Sequence, residues 1–319
     1  MSKRIVVIEG VSPKGHVDFN KQILDYLNGS ITDIFIGESL KSSYNMDKIK
    51  YFGDSFVFKG RLSHAVGFLM AIYRIFKATK SSKIDTYLLL SYDILSLPVI
   101  ALYAKIAGIN VIVCEHNTVP TSPTKKLLQK LSSNVGRICF MPSVCKIYEQ
   151  LGCNVLLTKL PLPDLAKNVD MKVPLSNYVF CPSASSDEAK IISVATKNPE
   201  LNFLLKSNNS YALNNVVCKA FFDDYVGSVS GALAVYIPMK NSHRVSGPLL
   251  DAISLGKQVI LPSGELYDFA IEHFPKNVIH ESELSIDLEF TNVYVDIESY
   301  NHVIRTELNS FVLRLNDSQ

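Results

Sequence analysis

The six cysteines form no Cys-x-x-Cys pair, and none has a Cys/His spacing that suits zinc. This argues against a zinc module or a dithiol redox centre. Cys114, Cys139, Cys181 and Cys218 sit inside apolar, strand-like runs and read as buried, reduced thiols of a cytoplasmic protein. The opening MSKRIVVIEG lacks an apolar secretory core followed by a cleavage site, which fits the same compartment. Long uncharged apolar runs are also missing. The most hydrophobic stretch, Tyr87 to Ala107, is interrupted by Asp93, Pro98 and Lys105 and reads as strand, loop and helix, not as a membrane span. There are no internal repeats, heptads or low-complexity tracts. Charge of one sign is not in excess either: 32 Lys and Arg face 30 Asp and Glu, for a formal net charge of +2. With a pI of about 8.1 and no recognition motif, a nucleic-acid partner is not expected.

What is present is a chain of 319 residues, 47% apolar and only 19% charged. That is enough to build real cores, and at roughly 150 residues per domain it predicts two of them. The near-neutral total hides an asymmetry. Residues 1–165 carry 20 basic and 12 acidic residues, whereas 166–319 carry 12 basic and 18 acidic. The first half should therefore favour an anionic surface or acceptor. Short β-branched runs alternate with amphipathic helical stretches, which predicts parallel sheets with right-handed crossovers. Strands are expected near 4–8, 33–37, 86–90, 110–114 and 137–141, with helices at 19–27, 62–79, 94–107 and 124–131. Pro161 to Pro174, with three prolines among polar residues, reads as a linker. The alternation then restarts at Tyr178, and residues 296–315 have the spacing of a closing helix. The expectation is two doubly wound α/β domains, 1–165 and 166–319, facing a cleft. Ligands in such sheets bind beyond the carboxyl ends of the strands.

The most informative segment is Pro238 to Ser263. A strand ends in a polar loop, and Ser246, Gly247 and Pro248 have the chemistry of a helix start. Free backbone N–H groups and the positive end of the helix dipole make such a start a phosphate site. Gly247 leaves room for close approach. Lys240, His243 and Arg244 precede it and can neutralise a diphosphate. Asp251 can accept hydrogen bonds from ribose hydroxyls. An ordinary capped helix accounts for the same residues equally well.

The run Gly247-Pro-Leu-Leu-Asp-Ala-Ile-Ser-Leu-Gly-Lys-Gln-Val-Ile resembles the nucleotide-sugar signature of GT-B glycosyltransferases, especially glycosyltransferase family 4. In that signature two glutamates with seven residues between them precede an Ala-small-Gly turn and Val-Ile. Asp251 matches the second glutamate, which contacts the donor ribose. His243 matches the first and departs from it. By position, the resemblance gives Ser246, Gly247, Pro248 and Leu249 the diphosphate-binding role, with Pro248 offering no N–H. More weakly, Val111 to Asn117 resembles the family's strand ending in His-Asn, placing His116 and Asn117 at a strand's carboxyl end. Lys190 matches a phosphate-contacting lysine of the donor domain. The family's arginine there is replaced by serines 183, 185 and 186.

The resemblance implies a GT-B fold of two Rossmann-like domains, with a C-terminal helix able to return to the first. It also implies a glycosyltransferase, retaining and without a bound metal, that uses a UDP- or GDP-sugar as donor substrate. His116 and His243 are the catalytic candidates. Lys190, Lys240, Arg244, Ser246, Gly247, Pro248, Leu249 and Asp251 are the donor-binding candidates. Gly15 and His16, in a glycine-containing loop that fails as a P-loop, are candidates for contacts to acceptor or phosphate. An inverting mechanism would draw a base from His16, Asp18 or Asp93. The acceptor is expected to be a glycan or a lipid-linked molecule in bacterial surface-polysaccharide synthesis. The six cations of Lys59 to Lys83 would meet an anionic membrane surface. The alternative is a catalytically inactive relative that binds sugar nucleotide or an active partner.

Overall fold

A computed structural model describes residues 4–11, 16–44, 48–116, 119–165, 176–182, 186–208, 210–239, 243–285 and 288–314. The chain divides into two units, Met1–Leu160 with His302–Gln319, and Pro161–Asn301. A single cut at residue 165 does not describe this division, because the chain from His302 onward belongs to the first unit.

The first unit is built on a parallel sheet of seven strands: β1 (Ile5–Glu9), β2 (Ile31–Gly37), β3 (Ile49–Phe52), β4 (Thr86–Leu89), β5 (Asn110–Glu115), β6 (Gly136–Cys139) and β7 (Val155–Leu157). Their order is β3-β2-β1-β4-β5-β6-β7. β1, β4 and β6 are buried along their whole length. Strands buried along their whole length in this way need helices on both faces. Those helices are α1 (Val17–Leu27), α2 (Arg61–Thr79), α3 (Leu97–Ala107), α4 (Pro123–Leu131) and α5 (Pro142–Gln150). The strand order runs one way from β1 to β3 and the other way from β4 to β7. Right-handed crossovers therefore put α1 on one face and α2 to α5 on the other. Ala65, Phe68, Ile72, Ile75 and Phe76 form the buried stripe of α2, at the three- and four-residue spacing of a helix lying on a sheet. Gly67 is fixed by close approach, since a Cβ there would overlap the Cβ of Phe56.

The last helix, α10 (Ile297–Arg314), begins in the second unit and ends in the first. Ile304, Leu308, Phe311 and Val312 bury one side of it. Thr158 donates to Glu307 at 2.6 Å, Asn309 donates to the Tyr26 carbonyl at 3.3 Å, and the Arg305 guanidinium lies 5.1 Å from the Tyr26 ring centroid. The C-terminal helix thus returns to the amino-terminal unit.

The second unit repeats the plan: β8 (Tyr178–Cys181), α6 (Glu188–Lys197), β9 (Asn202–Lys206), β10 (Tyr211–Leu213), β11 (Val216–Lys219), α7 (Tyr225–Ser230), β12 (Ala234–Tyr236), α8 (Gly247–Ser254), β13 (Gln258–Leu261), α9 (Glu265–His273) and β14 (Val278–His280). The order is β10-β11-β9-β8-β12-β13-β14, parallel except for the β10–β11 hairpin. From β8 the chain moves one way to β9, and from β12 it moves the other way to β13. The crevice at the β8 and β12 carboxyl ends is therefore the switch point where ligands of such sheets bind. All six cysteines are buried and unbonded to one another, and burial raises their pKa values, that of Cys145 to about 11.

One buried charge in this unit has a measurable consequence. Lys257 is only 2% exposed, donates to the Ala232 carbonyl at 3.1 Å, and is pushed down to about 8 by desolvation. Between about pH 8 and the unfolded value of 10.5 the folded state binds fewer protons than the unfolded one, so this group's contribution to stability rises with pH. The buried cysteines have the opposite effect, so the comparison is made against Lys257→Met. Relative to that variant, the wild-type protein should gain on the order of 3 kcal/mol as pH is raised through this window in urea titrations. A pH-independent difference would contradict the assignment.

Candidate functional site

In the second unit the loops after β8 and β12 are tied to each other. Ser186 pairs with Met239, and the Asp187 amide donates to the Pro238 carbonyl at 2.8 Å. The starts of α6 and α8 thus belong to neighbouring strands on either side of the switch point. Asp187 caps α6 by accepting the Lys190 amide.

Ser246 occupies the N-cap position of α8 with extended backbone, yet its hydroxyl makes no capping bond. The reason is local. A capping hydroxyl would accept from the second or third helical amide; the second residue is Pro248, which has none, and the third, Leu249, donates to the Ser246 carbonyl at 3.1 Å. Anion-binding capacity at this start therefore falls on the amides of Ser246 and Gly247, not on all four residues of 246–249. Gly247 is exposed and a Cβ there would meet nothing within 4 Å. Leu249 is fully buried and belongs to the core. Asp251, half-buried, accepts from the Tyr225 hydroxyl at 2.9 Å, so its carboxylate is held by α7.

His243 is exposed and Arg244 is half-buried. The Nδ1 atom of His243 lies 3.6 Å from Oε2 of Glu265, the first residue of α9. Gly264, at φ 144, sets the turn that presents Glu265, and that conformation disfavours any side chain. A carboxylate thus accompanies the position where the signature has glutamate, but it comes from the next strand–helix loop. Sequence spacing carried no signal for it. Lys190 forms a 2.8 Å ion pair with Glu281, which also accepts from the Tyr236 hydroxyl at 2.6 Å. Its charge is accordingly shared with a carboxylate. Lys240 lies outside the described residues.

In the first unit the β5 end carries His116. Its ring lies 4.4 Å from that of His16, the residue preceding α1, and 5.0 Å from that of Phe19. The Leu90 carbonyl sits 3.1 Å from Nε2, so that nitrogen is the donor and Nδ1 the acceptor. Burial, aided by His16 and opposed by the Leu90 bond, pushes its pKa down to about 3. Such an imidazole is neutral across the physiological range and a weak general base, and hydrogen bonding is the role left to it. Its NMR titration should show no protonation between pH 5 and 8. A midpoint near 6.5 would contradict this environment.

Asp93, a candidate base, is used locally: Oδ1 accepts the Leu95 and Ser96 amides and Oδ2 lies 3.2 Å from His64 Nδ1. Asp18 is exposed and pairs with Lys21 at 3.6 Å. Gly15, Lys14 and Asn117 lie outside the described residues. Two buried carboxylates at strand ends were not among the sequence candidates. Glu9 accepts from Asn20 at 2.7 Å and Ser91 at 2.8 Å. Glu115 accepts from Arg137 at 2.6 Å and from Tyr92 at 2.8 Å. Both end strands that periodicity marks as purely apolar. Among the described residues no group of three His, Cys, Asp or Glu is placed to hold a metal ion.

No protein-family model matches the chain, and no curated protein sequence matches it. Solved structures do match in fold. HepE from Anabaena, in complex with UDP, has a TM-score of 0.60 at 12% identity over 99% of this chain and 98% of that one. A glycosyltransferase from Rickettsia africae gives 0.60 and 12% over 99% and 96%. WaaG, described as a glycosyltransferase of lipopolysaccharide biosynthesis, gives 0.58 and 9% over 98% and 93%. The fold is the one expected, two Rossmann-like parallel-sheet units of the GT-B class.

Proposed function

We propose that the protein is a glycosyltransferase that moves a sugar from a nucleoside diphosphate sugar, UDP- or GDP-linked, to a glycan or lipid-linked acceptor of a bacterial surface polysaccharide. The observation that carries this reading is the start of α8. It combines an uncapped helix N-terminus at the switch point, an open Gly247, Arg244 close by in sequence, and Asp251 held by Tyr225. Fold likeness to HepE, whose structures hold UDP and UDP-glucose, supports the choice of donor. The Ser246 and Gly247 amides would bind the diphosphate and stabilise the charge that develops as it leaves. Asp251 would accept from the ribose. His243, with Glu265 behind it, would contact the sugar, and His116 would offer a neutral hydrogen-bonding ring on the acceptor side. Membership of family 4, retention of anomeric configuration, independence of metal, and assignment of the acceptor to the first unit and the donor to the second are parts of the same proposal, as is a cytoplasmic location against an anionic membrane.

Calorimetric titration with UDP, GDP and their glucose conjugates tests it. Binding should weaken at least tenfold in Asp251→Ala, the worth of about 1.5–3 kcal/mol for a charged hydrogen bond. Unchanged affinity would remove Asp251 from the site. The second reading, an inactive relative, is favoured by His243 standing where the signature has glutamate. It predicts nucleotide binding with no donor hydrolysis or transfer.

A further inference from the structure

We propose that the groove between α2 and α3 is a hydrocarbon-chain site, filled by an acyl chain of an anionic membrane lipid, with the face made by α2, α3 and α4 lying on the bilayer surface. The proposal rests on the lipid-linked acceptor for its purpose, and on residues of the first unit alone for its support. The groove has a volume of about 310 Å³ and an apolar lining that includes Leu69, Met70, Tyr73, Phe76, Val99 and Tyr103. It is at the small end of the roughly 300–1,000 Å³ found for ligand sites. The Phe76 and Tyr103 rings stack at 5.2 Å along one wall.

The rim is apolar as well. A helix packed on a sheet buries one stripe, and α2 has that stripe. It also has a second one facing out: Leu62, Val66, Met70 and Tyr73 are 74%, 54%, 47% and 48% exposed. Val99, Leu102 and Ile106 form the matching stripe on the neighbouring α3, and Leu127 and Leu131 continue it on α4. Contiguous exposed apolar residues of this extent mark a contact surface. Charge says what contacts it. The three helices contain seven cations, from Arg61 to Lys130, and not one Asp or Glu. A second copy of the chain would set seven positive charges against seven. A nucleic acid would meet aliphatic side chains between its phosphates. An anionic bilayer satisfies both features, with headgroups on the cations and hydrocarbon against the stripes. No described helix is long and apolar enough to cross a membrane, so contact is with the surface.

The chain contains no tryptophan, so Tyr73→Trp gives a single reporter in the groove wall. This variant is mixed with vesicles of phosphatidylcholine alone, or of phosphatidylcholine and phosphatidylglycerol in a two-to-one ratio, each with and without bromine on the acyl chains. The expected result is binding to the anionic vesicles only, with bromine quenching of the introduced indole. Lys105→Gln and Lys130→Gln should each lower partitioning about fivefold, and the exposed substitution Ile106→Asp should abolish it with the circular dichroism spectrum unchanged. Equal binding to both vesicle types, binding without bromine quenching, or a dimer on sedimentation that ignores vesicles would each overturn the proposal. UDP titration is run in parallel. Nucleotide binding without vesicle binding defeats this inference alone, while vesicle binding without any nucleotide binding leaves it standing and defeats the donor reading.

Discussion

Replacing Arg137 by methionine should lower the unfolding free energy by about 3–5 kcal/mol, the largest stability loss expected from a single substitution in the first unit. Arg137 is fully buried on β6, 2.6 Å from Glu115 and 2.9 Å from the Ser132 hydroxyl, with its guanidinium 5.0 Å from the Tyr148 ring centroid. Burial opposes its charge, but Glu115 and the surrounding polar rings outweigh that and hold the guanidinium protonated more firmly than usual. Methionine fills much of the volume and leaves Glu115 as an uncompensated buried carboxylate that still accepts from Tyr92. The double variant Glu115→Gln with Arg137→Met should recover a substantial part of the loss, because the stranded charge goes with it. Urea denaturation of the three proteins reads this directly. A loss under about 1 kcal/mol for the single variant would mean that Glu115 is reached by solvent and not left stranded.

Gly247→Val should leave stability almost unchanged and reduce nucleotide affinity at least tenfold, a difference of about 1.4 kcal/mol or more. The two effects separate because nothing in the protein itself needs glycine there. A Cβ at Gly247 points into open space, and its backbone lies outside the left-handed region. A diphosphate drawn to the Ser246 and Gly247 amides would meet the added isopropyl group directly. Unfolding curves together with UDP titration check the pair of expectations. Loss of stability, or intact binding, would mean that the glycine serves the helix and not a ligand.

The architecture was legible because its signals are collective. β1, β4 and β5 are apolar at most core positions, with Glu9, Thr86 and Glu115 the buried exceptions, and the closing helix keeps its spacing from Ile304 to Val312. The elements that escaped are short, marginal ones. β3 and β7 are edge strands with partly exposed residues, and α5 opens on a proline that resembles a turn. The candidate site was legible only in part. The 246–251 segment announces itself by local chemistry, since Ser, Gly and Pro at a helix start act over one turn. Glu265 comes from a loop 22 residues beyond His243, and that pairing is created by β12 and β13 lying side by side. His116 reads only as a catalytic candidate in sequence, because the burial that keeps it neutral, against the opposing bond to the Leu90 carbonyl, comes from tertiary packing. Glu9 and Glu115 are hidden for the same reason: a lone carboxylate ending an apolar run gives no hint of its partners.

The most direct test is a crystal of the protein soaked with UDP and, separately, GDP. Density for the diphosphate within hydrogen-bond distance of the Ser246 and Gly247 amides, with the ribose hydroxyls against Asp251, is the predicted result. A nucleotide seated elsewhere, or none at saturating concentrations of both, would contradict it.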